Sequence, residues 1–169
     1  MLNLTKVSKM NLKFKKIVIS IFSFLTPFIV GGISGLATFN GLKNWYNMIE
    51  KPSFNPPNYI FGPVWSALYF LMGISFYLIV KRPKSELRKK AIIIFLLQLF
   101  LNFCWSFIFF QFHQIGLAFL EIILIWISIL FMIIRFYKIN KYAALLQIPY
   151  LLWVSFACFL NGTIWYLNS

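Results

Sequence analysis

The chain has 169 residues, of which 61% are hydrophobic and 11% charged, and its formal net charge is +13. A mean hydropathy of +0.81 excludes an ordinary soluble domain. The apolar runs are continuous rather than alternating, which excludes a β-barrel, because backbone groups in lipid must be satisfied within helices or a closed barrel. We therefore predict an all-α integral membrane protein with five transmembrane helices.

The predicted elements, in chain order, are a basic tail at residues 1–16 and a single membrane domain at residues 17–168. Each apolar run is long enough as a helix to cross about 30 Å of hydrocarbon. A cleaved secretory signal is the alternative for the first run, but that run exceeds the usual ~7–15 apolar residues and lacks a small-x-small site. We expect it to remain as a span, which gives spans near residues 17–38, 59–80, 91–112, 115–134 and 142–167.

The sixteen Lys and Arg residues are distributed unevenly along this topology. All but Lys43 and Lys51, which lie in the first loop, fall in the tail or in the second and fourth loops. The positive-inside rule then places the N-terminus in the cytoplasm and the C-terminus outside. An anionic leaflet accounts for these charges, so we expect a lipid bilayer as partner and no nucleic acid. The absence of an Arg- and Ser-rich leader favours a bacterial plasma membrane, with the mitochondrial outer membrane as the eukaryotic alternative.

A proline-rich loop joins the first two spans. Residues 51–57 read Lys-Pro-Ser-Phe-Asn-Pro-Pro. This segment cannot continue a helix, because proline lacks the amide donor and pushes the preceding residue to extended geometry. We predict a stiff, ordered loop that covers one end of the bundle.

Three spans carry a stripe in which tryptophan is mixed with small or polar residues. At helical spacing, the stripes are Trp65, Tyr69, Met72 and Phe76; Gln98, Asn102, Trp105 and Phe109; and Trp153, Ala157 and Asn161. Indole N–H and amide groups need partners, so we expect the stripes to face protein. Helix packing with polar contacts is one interpretation. The other, favoured by the stiff loop at one end, is a capped pocket for a flat, largely apolar ligand with a few polar edges.

The acidic residue Glu121 lies near the start of the fourth span with apolar residues on both sides. A buried carboxylate is costly in a membrane and usually faces the bundle interior, a polar partner or water. We therefore treat Glu121 as a candidate site residue. The alternative is a structural hydrogen bond between helices, with Gln98, Asn102 or Gln147 as the partner.

Other reactive side chains indicate no catalytic or metal centre. His113 lies in the turn between the third and fourth spans, without Cys or a carboxylate at ligand spacing, and Cys104 and Cys158 lie inside spans as packing residues. The pair Gly31 and Gly35 permits close helix approach and is a possible homodimer seam.

The chain contains five distinctive sequence blocks, which in one-letter code are WY at Trp45, KPSxxPP at Lys51, GxVWxxLYxxMG at Gly62, QLxLNxxWSxxFF at Gln98 and PYLxWVSFAxxLNxTIW at Pro149. Together they resemble the tryptophan-rich sensory protein / translocator protein family (TspO/MBR). The resemblance covers about residues 17 to 168. It implies a five-helix bundle, commonly a homodimer, that binds porphyrins beneath the first loop, and in some members sterols or isoquinoline-type ligands.

The resemblance also implies a set of site residues, without a metal or cofactor. Some bacterial members are described as degrading protoporphyrin in a light- and oxygen-dependent reaction that relies on pocket tryptophans, which would make Trp65 and Trp153 catalytic. The ligand-binding residues implied by position are Trp45, Phe54, Pro56, Pro57, Trp65, Tyr69, Asn102, Trp105, Glu121, Trp153 and Ala157.

Two departures from the family pattern limit what the resemblance implies. Phe54 stands where the family has tryptophan. Phenylalanine keeps a flat apolar ring at this position but lacks the indole N–H donor. The sterol-recognition stretch at the end of the last span lacks its tyrosine and arginine, with Gly162 and Tyr166 in their places. Such motifs are weak indicators even when complete, and this loss disfavours cholesterol transport.

We therefore expect a membrane receptor or sensor for protoporphyrin IX-like tetrapyrroles, with a role in tetrapyrrole handling or stress regulation. The ligand's carboxylates could reach Lys43 or Lys51 while its ring lies against tryptophan. The second hypothesis is a light- and oxygen-dependent porphyrin-degrading enzyme. The third, a porphyrin or sterol transporter, is weaker because no span is broken midway by a Gly/Pro pair.

Overall fold

The computed structural model describes the backbone of residues 2–169 and the side chains of Phe14 and residues 17–169. The tail lysines, on which the predicted orientation partly rests, lie outside the described side chains. Within the described backbone there is no strand. The helices are α1 (Leu2–Lys43), α2 (Asn58–Val80), α3 (Glu86–Phe110), α4 (Ile115–Tyr137), α5 (Lys141–Leu145) and α6 (Ile148–Leu167), with a 3₁₀ turn at Trp45–Asn47.

Helical segments long and apolar enough to span a membrane number five in the described part of the chain. They are Ile17–Lys43, Asn58–Val80, Glu86–Phe110, Ile115–Tyr137 and Lys141–Leu167. The predicted all-α, five-span fold is confirmed, and the protein is a multi-pass integral membrane protein.

The fifth span differs from the single helix expected over residues 142–167, because it consists of α5 and α6. The chain tightens between them, where the amide of Gln147 bonds the carbonyl of Ala144 at 3.0 Å. Pro149, in the first turn of α6, has no amide to continue the α5 hydrogen-bond ladder. The break lies near one end of the span rather than midway along it.

Capping side chains define where two helices begin. The hydroxyl of Ser85 accepts a hydrogen bond from the amide of Arg88 at 3.1 Å, and Glu86 lies in the first turn of α3, near the positive end of the helix dipole. At α5, Oδ1 of Asn140 accepts from the amide of Tyr142 at 3.0 Å. Both helices start in loops that carry the basic residues.

The core is divided into two apolar clusters. The larger lies mainly among α2, α3, α4 and α6, where the rings of Phe76 and Phe95 stack 4.0 Å apart and Phe136 follows at 6.2 Å from Phe95. The smaller cluster lies beneath the first loop and consists of Tyr46, Phe109, Phe110, Ala118, Leu160 and Ile164. Between α1 and α2, a Cβ on Gly73 would come 2.5 Å from the carbonyl oxygen of Phe24, so glycine is required for this close approach.

Candidate ligand-binding site

A cavity of about 800 Å³ lies inside the bundle, bounded by α1, α2, α3, α4 and α6 and by the 3₁₀ turn of the first loop. This volume lies in the range of about 300–1,000 Å³ that is typical of small-molecule sites. Its wall is mostly aromatic and aliphatic, with a few amide and hydroxyl groups. Such a wall suits a largely apolar ligand with few polar atoms.

The three predicted stripes all contribute to this cavity. Because residues four apart lie on one helix face, each stripe presents a tryptophan together with smaller or polar side chains. The sequence-predicted residues that line the cavity are Trp65, Tyr69, Asn102, Trp105, Trp153 and Ala157.

Aromatic contacts hold the rings of the wall in place. The rings of Trp65 and Tyr69 stack with centroids 5.4 Å apart and planes 28° apart. Trp105 stacks on Phe109 at 5.1 Å and 14°. The hydroxyl of Tyr69 donates to Oδ1 of Asn102 at 3.1 Å, which joins α2 to α3 across the cavity wall.

The predicted aromatic residues of the first loop lie elsewhere. Trp45 stacks on the ring of His113 at 4.4 Å, where His113 adopts a positive φ of 58° in the α3–α4 turn. Phe54 stacks on Phe159 of α6 at 5.2 Å and remains 41% exposed. Neither residue is part of the cavity wall in the described structure.

The two loop prolines, Pro56 and Pro57, shape the chain without reaching the cavity wall. Nδ2 of Asn55 donates to the carbonyl of Pro56 at 3.1 Å, and the carbonyl of Pro57 accepts from the amide of Ile60 at 3.0 Å. The prolines therefore direct the chain into the first turn of α2.

Glu121 is buried, with 8% of its surface exposed, and also lies outside the cavity wall. The structural hydrogen bond considered for it is not formed among the described residues. Its Oε2 has no partner, the amides of Gln98 and Gln147 are likewise unpartnered, and Asn102 accepts from a tyrosine instead.

Hydrogen bonds anchor the first loop over the cavity. The phenol of Tyr46, which lines the cavity, donates to Oδ1 of Asn55 at 2.5 Å. Burial raises the pKa of Tyr46 to about 12, so the phenol stays protonated as a donor at neutral pH. At the end of α6, the side-chain amide of Asn168 exchanges two 3.0 Å hydrogen bonds with the backbone of Glu50. The predicted covering loop is thus attached to both α6 and its own 3₁₀ turn.

The two lysines of the first loop have different positions. Nζ of Lys51 donates to the carbonyls of Tyr46 at 2.6 Å and Ile49 at 3.0 Å. The ammonium group of Lys51 is therefore engaged in hydrogen bonds within the loop. Lys43 lines the cavity, with Nζ 4.1 Å from the ring centroid of Phe39. Lys43 is therefore the lysine placed to meet an acidic group in the cavity.

Sequence reasoning missed the contribution of α1 to the site. Gly31, Ser34, Gly35 and Thr38 all line the cavity, and their i, i+3, i+4, i+7 spacing was the signal that could have revealed it. A Cβ on Gly31 would overlap the ring of Tyr69. The close approach considered for a dimer seam is thus used within the chain at Gly31.

Asn161 is a second residue absent from the implied site, although it belongs to the predicted stripe of the last span. Its side chain lines the cavity and is 2% exposed. The signal was its position one turn after Ala157, on the same face of α6.

Comparison with known proteins identifies the family. Residues 23–167 match the TspO/MBR family. The tryptophan-rich protein TspO of Archaeoglobus fulgidus is 39% identical over 148 residues, covering 87% of this chain and 95% of the relative. The translocator protein of Homo sapiens is 36% identical over 127 residues, covering 74% and 75%. The tryptophan-rich sensory protein of Cereibacter sphaeroides is 29% identical over 124 residues, covering 73% and 77%.

These matches extend over nearly all of the membrane-spanning part and confirm the resemblance seen in the sequence blocks. The chain belongs to the TspO/MBR family.

Proposed function

We propose that this protein is a membrane receptor or sensor that binds a protoporphyrin IX-like tetrapyrrole in the cavity beneath the first loop. The observation that carries the proposal is the wall itself, in which Trp65, Trp105 and Trp153 line one cavity of about 800 Å³. Aromatic faces bind flat conjugated rings by stacking and exclude water from them. The sensory role follows the name of the relative from Cereibacter sphaeroides.

The charge of the cavity supports an acidic amphiphile. Lys43 lies where α1 ends at the first loop, and Lys51 is engaged with loop carbonyls. A carboxylate at the edge of a tetrapyrrole would meet Lys43 while the ring lies deeper between the helices. The cation–π contact of Lys43 with Phe39 is exchangeable for such an ion pair.

The positions of the other implied site residues give them supporting roles in this proposal. Trp45 and Phe54 fix the first loop that covers the ligand, through ring contacts with the α3–α4 turn and α6. Pro56 and Pro57 stiffen this loop. Glu121 lies on α4 outside the wall, directly before Ile122, which lines the cavity.

We further propose that the chain lies in a bacterial plasma membrane with its N-terminus cytoplasmic. The described basic residues of the α2–α3 and α4–α5 connections lie at the same end of the bundle, opposite Lys43 and Lys51. Lys and Arg in short loops mark the cytoplasmic side. A homodimer, as implied by the family resemblance, remains part of the proposal and is tested by molecular mass in detergent.

A titration of the purified protein with protoporphyrin IX tests the binding proposal. We expect saturable quenching of tryptophan fluorescence. Trp65→Ala should lower the affinity about tenfold, since stacking of a flat ring on an aromatic side chain contributes about 1–3 kcal/mol. Trp126→Ala is the matched control, because Trp126 lies outside the cavity wall and its indole bonds Ser155 at 2.8 Å. Linear, non-saturating quenching would remove the proposal.

Light-dependent porphyrin degradation is a second candidate, favoured by the presence of both Trp65 and Trp153 in the wall. Oxygen would be the oxidant, and the two indoles would stack on the excited ring and be oxidised or relay radicals. Under illumination in air, wild type should bleach bound protoporphyrin faster than a Trp65→Phe/Trp153→Phe variant that still binds it. Equal bleaching rates would reject the enzyme hypothesis and retain the receptor role.

A further inference from the structure

The cavity is not enclosed equally on all sides. Among the described residues that line it, those on α3, α4 and α6 are buried or half-buried, and none of them is exposed. The exposed lining residues all belong to α1, the first loop and the start of α2, and they include Gly32, Gly35, Phe39, Tyr59, Gly62 and Ser66. The cavity wall is therefore open on one side, between α1 and α2.

Small residues on both helices account for this opening. A Cβ at Gly32, Gly35 or Gly62 would meet no atom within 4 Å, so the space beside each of these glycines is unfilled by the protein. The larger side chains nearby do not close it, because Phe39 is 55% exposed and Tyr59 is 77% exposed. The result is a lateral window that is bounded by the outer half of α1 and the start of α2.

The course of α1 explains why the window forms at this level. At Gly31 the helix packs on α2, where an added Cβ would overlap the ring of Tyr69. At Gly41 it packs on α3 instead, where an added Cβ would lie 2.6 Å from Phe110. These two contacts are separated by the rise of ten helical residues, or about 15 Å. Between them α1 turns from α2 toward α3, which leaves the gap.

The first loop closes the neighbouring end of the cavity. Nδ2 of Asn58, at the start of α2, donates to Oδ1 of Asn47 at 3.4 Å and so joins the loop to α2 above the window. The side-chain amide of Asn168 holds the backbone of Glu50 on the opposite side, at the end of α6. The end of the cavity is thus covered, and the side between α1 and α2 is open.

The window lies at the depth of the hydrocarbon. Its residues belong to the spans Ile17–Lys43 and Asn58–Val80. The hydroxyl of Ser66 at its edge donates to the carbonyl of Gly62 at 2.9 Å, within its own helix. An edge that faces lipid requires such internal bonds, because an unsatisfied polar group is costly in hydrocarbon. The window therefore opens to lipid rather than to water.

We propose that the cavity is loaded from the bilayer through the lateral window, and that its ligand is an amphiphile dissolved in the leaflet that holds the first loop. This inference rests on the proposed function. Lys43 ends the first span and lines the cavity, so it lies where hydrocarbon gives way to the polar surface. A tetrapyrrole in that leaflet, with its ring in hydrocarbon and its carboxylates at the surface, passes between α1 and α2 without turning over. It arrives with a carboxylate at the level of Lys43.

The double variant Gly35→Leu/Gly62→Leu tests this route by obstructing the window. Both leucines are added where a Cβ meets no atom, and both raise helix propensity, so we expect the fold to be retained. Ala67→Leu is the matched control, because Ala67 is exposed on α2 and lies outside the cavity wall. Association of protoporphyrin IX is followed in lipid nanodiscs by stopped-flow quenching of tryptophan fluorescence. Dissociation is followed after addition of excess empty vesicles.

We expect the association and dissociation rate constants both to fall about tenfold in the double variant, since about 1.4 kcal/mol added to a barrier slows a step tenfold. Ala67→Leu should keep the wild-type rates. Adding Asn168→Ala to the double variant releases the first loop from Glu50 and opens the end of the cavity, so it should restore both rates.

Three outcomes would contradict the inference. Wild-type rates in the double variant would overturn it while leaving the proposed function intact. Slow rates or lost binding that Asn168→Ala does not restore would show that the leucines act on the site rather than on entry, and would overturn it as well. Absence of saturable binding by wild type would overturn both the inference and the proposed function.

Discussion

Adding one methyl group at Gly31 should disrupt the cavity wall. A Cβ at this position would overlap the ring of Tyr69, with Cζ at 2.5 Å and Cδ2 at 2.6 Å. Because these atoms belong to a buried ring that also stacks on Trp65 and bonds Asn102, Tyr69 cannot move without breaking contacts. Gly31→Ala therefore acts on the site through Tyr69.

The expected magnitude follows from these contacts. Overpacking a membrane-protein interior by one methyl group costs about 1–3 kcal/mol. If Tyr69 rotates away, the loss of its hydrogen bond to Asn102 adds ~1 kcal/mol. Ligand affinity should fall by about tenfold, since the displaced ring either enters the cavity or no longer supports Trp65.

Gly32→Ala is the matched control for stability, because a Cβ at Gly32 meets no atom within 4 Å. Gly32 also lines the cavity, so its ligand affinity does not serve as a reference. Both variants gain the same helix propensity, so the difference between them isolates the steric contact with Tyr69. The assay is thermal unfolding in detergent together with a protoporphyrin IX titration. Equal unfolding temperatures for the two variants would refute the packing of α1 on α2 that we describe.

Three further predictions concern the first loop and its lysine. Asn168→Ala removes two hydrogen bonds to Glu50, so the free energy of unfolding should fall by about 1–2 kcal/mol and ligand dissociation, followed by stopped flow, should accelerate; an unchanged dissociation rate would contradict the covering role. Lys43→Gln should lower the affinity for protoporphyrin IX at low salt and abolish the salt dependence of that affinity, without changing the affinity for the dimethyl ester. Salt dependence that persists in this variant would place the carboxylate elsewhere. The pKa of Tyr46 is raised from 10.0 to about 12, so its stabilising contribution should be complete below pH 10 and lost as pH approaches 12. In Tyr46→Phe, the unfolding temperature should fall less between pH 10 and pH 12 than it does in wild type. Identical pH profiles of the two proteins would argue against burial of the phenol.

The helix stripes were predictable because burial in a bundle follows the 3.6-residue period. The faces carrying Trp65 and Tyr69, Asn102 and Trp105, and Trp153 and Ala157 follow from sequence spacing alone, and the structure brings them to one cavity. Periodicity states which residues share a face, and hydropathy states which segments span the membrane. Together they were sufficient for the five-span fold and for the tryptophan-bearing faces of the cavity wall.

The loop residues could not be placed in the same way. The prolines predict stiffness, but the direction in which Phe54 points depends on the hydrogen bonds of Asn55 and on packing against Phe159. The contact with Phe159 joins segments far apart in sequence, and spacing within the loop does not reveal it. The same holds for Trp45, whose position depends on the left-handed turn at His113.

Small residues were the other place where spacing left alternatives open. Gly31 and Gly35 fit a helix–helix seam equally well within one chain or between two, and spacing does not distinguish the alternatives. Within the chain, the ring of Tyr69 packs against Gly31, whereas a Cβ at Gly35 would meet no atom within 4 Å. The break between α5 and α6 had a visible signal in Pro149, but an apolar run hides the boundary when hydropathy alone is read.

The central claim is that a tetrapyrrole occupies the cavity beneath the first loop, and an experimental structure with bound protoporphyrin IX tests it most directly. We predict density for the ring between Trp65, Trp105 and Trp153, with a carboxylate at Lys43. A ring seated instead on the outer groove between α4 and α6, beside Phe119 and Trp165, would contradict the account.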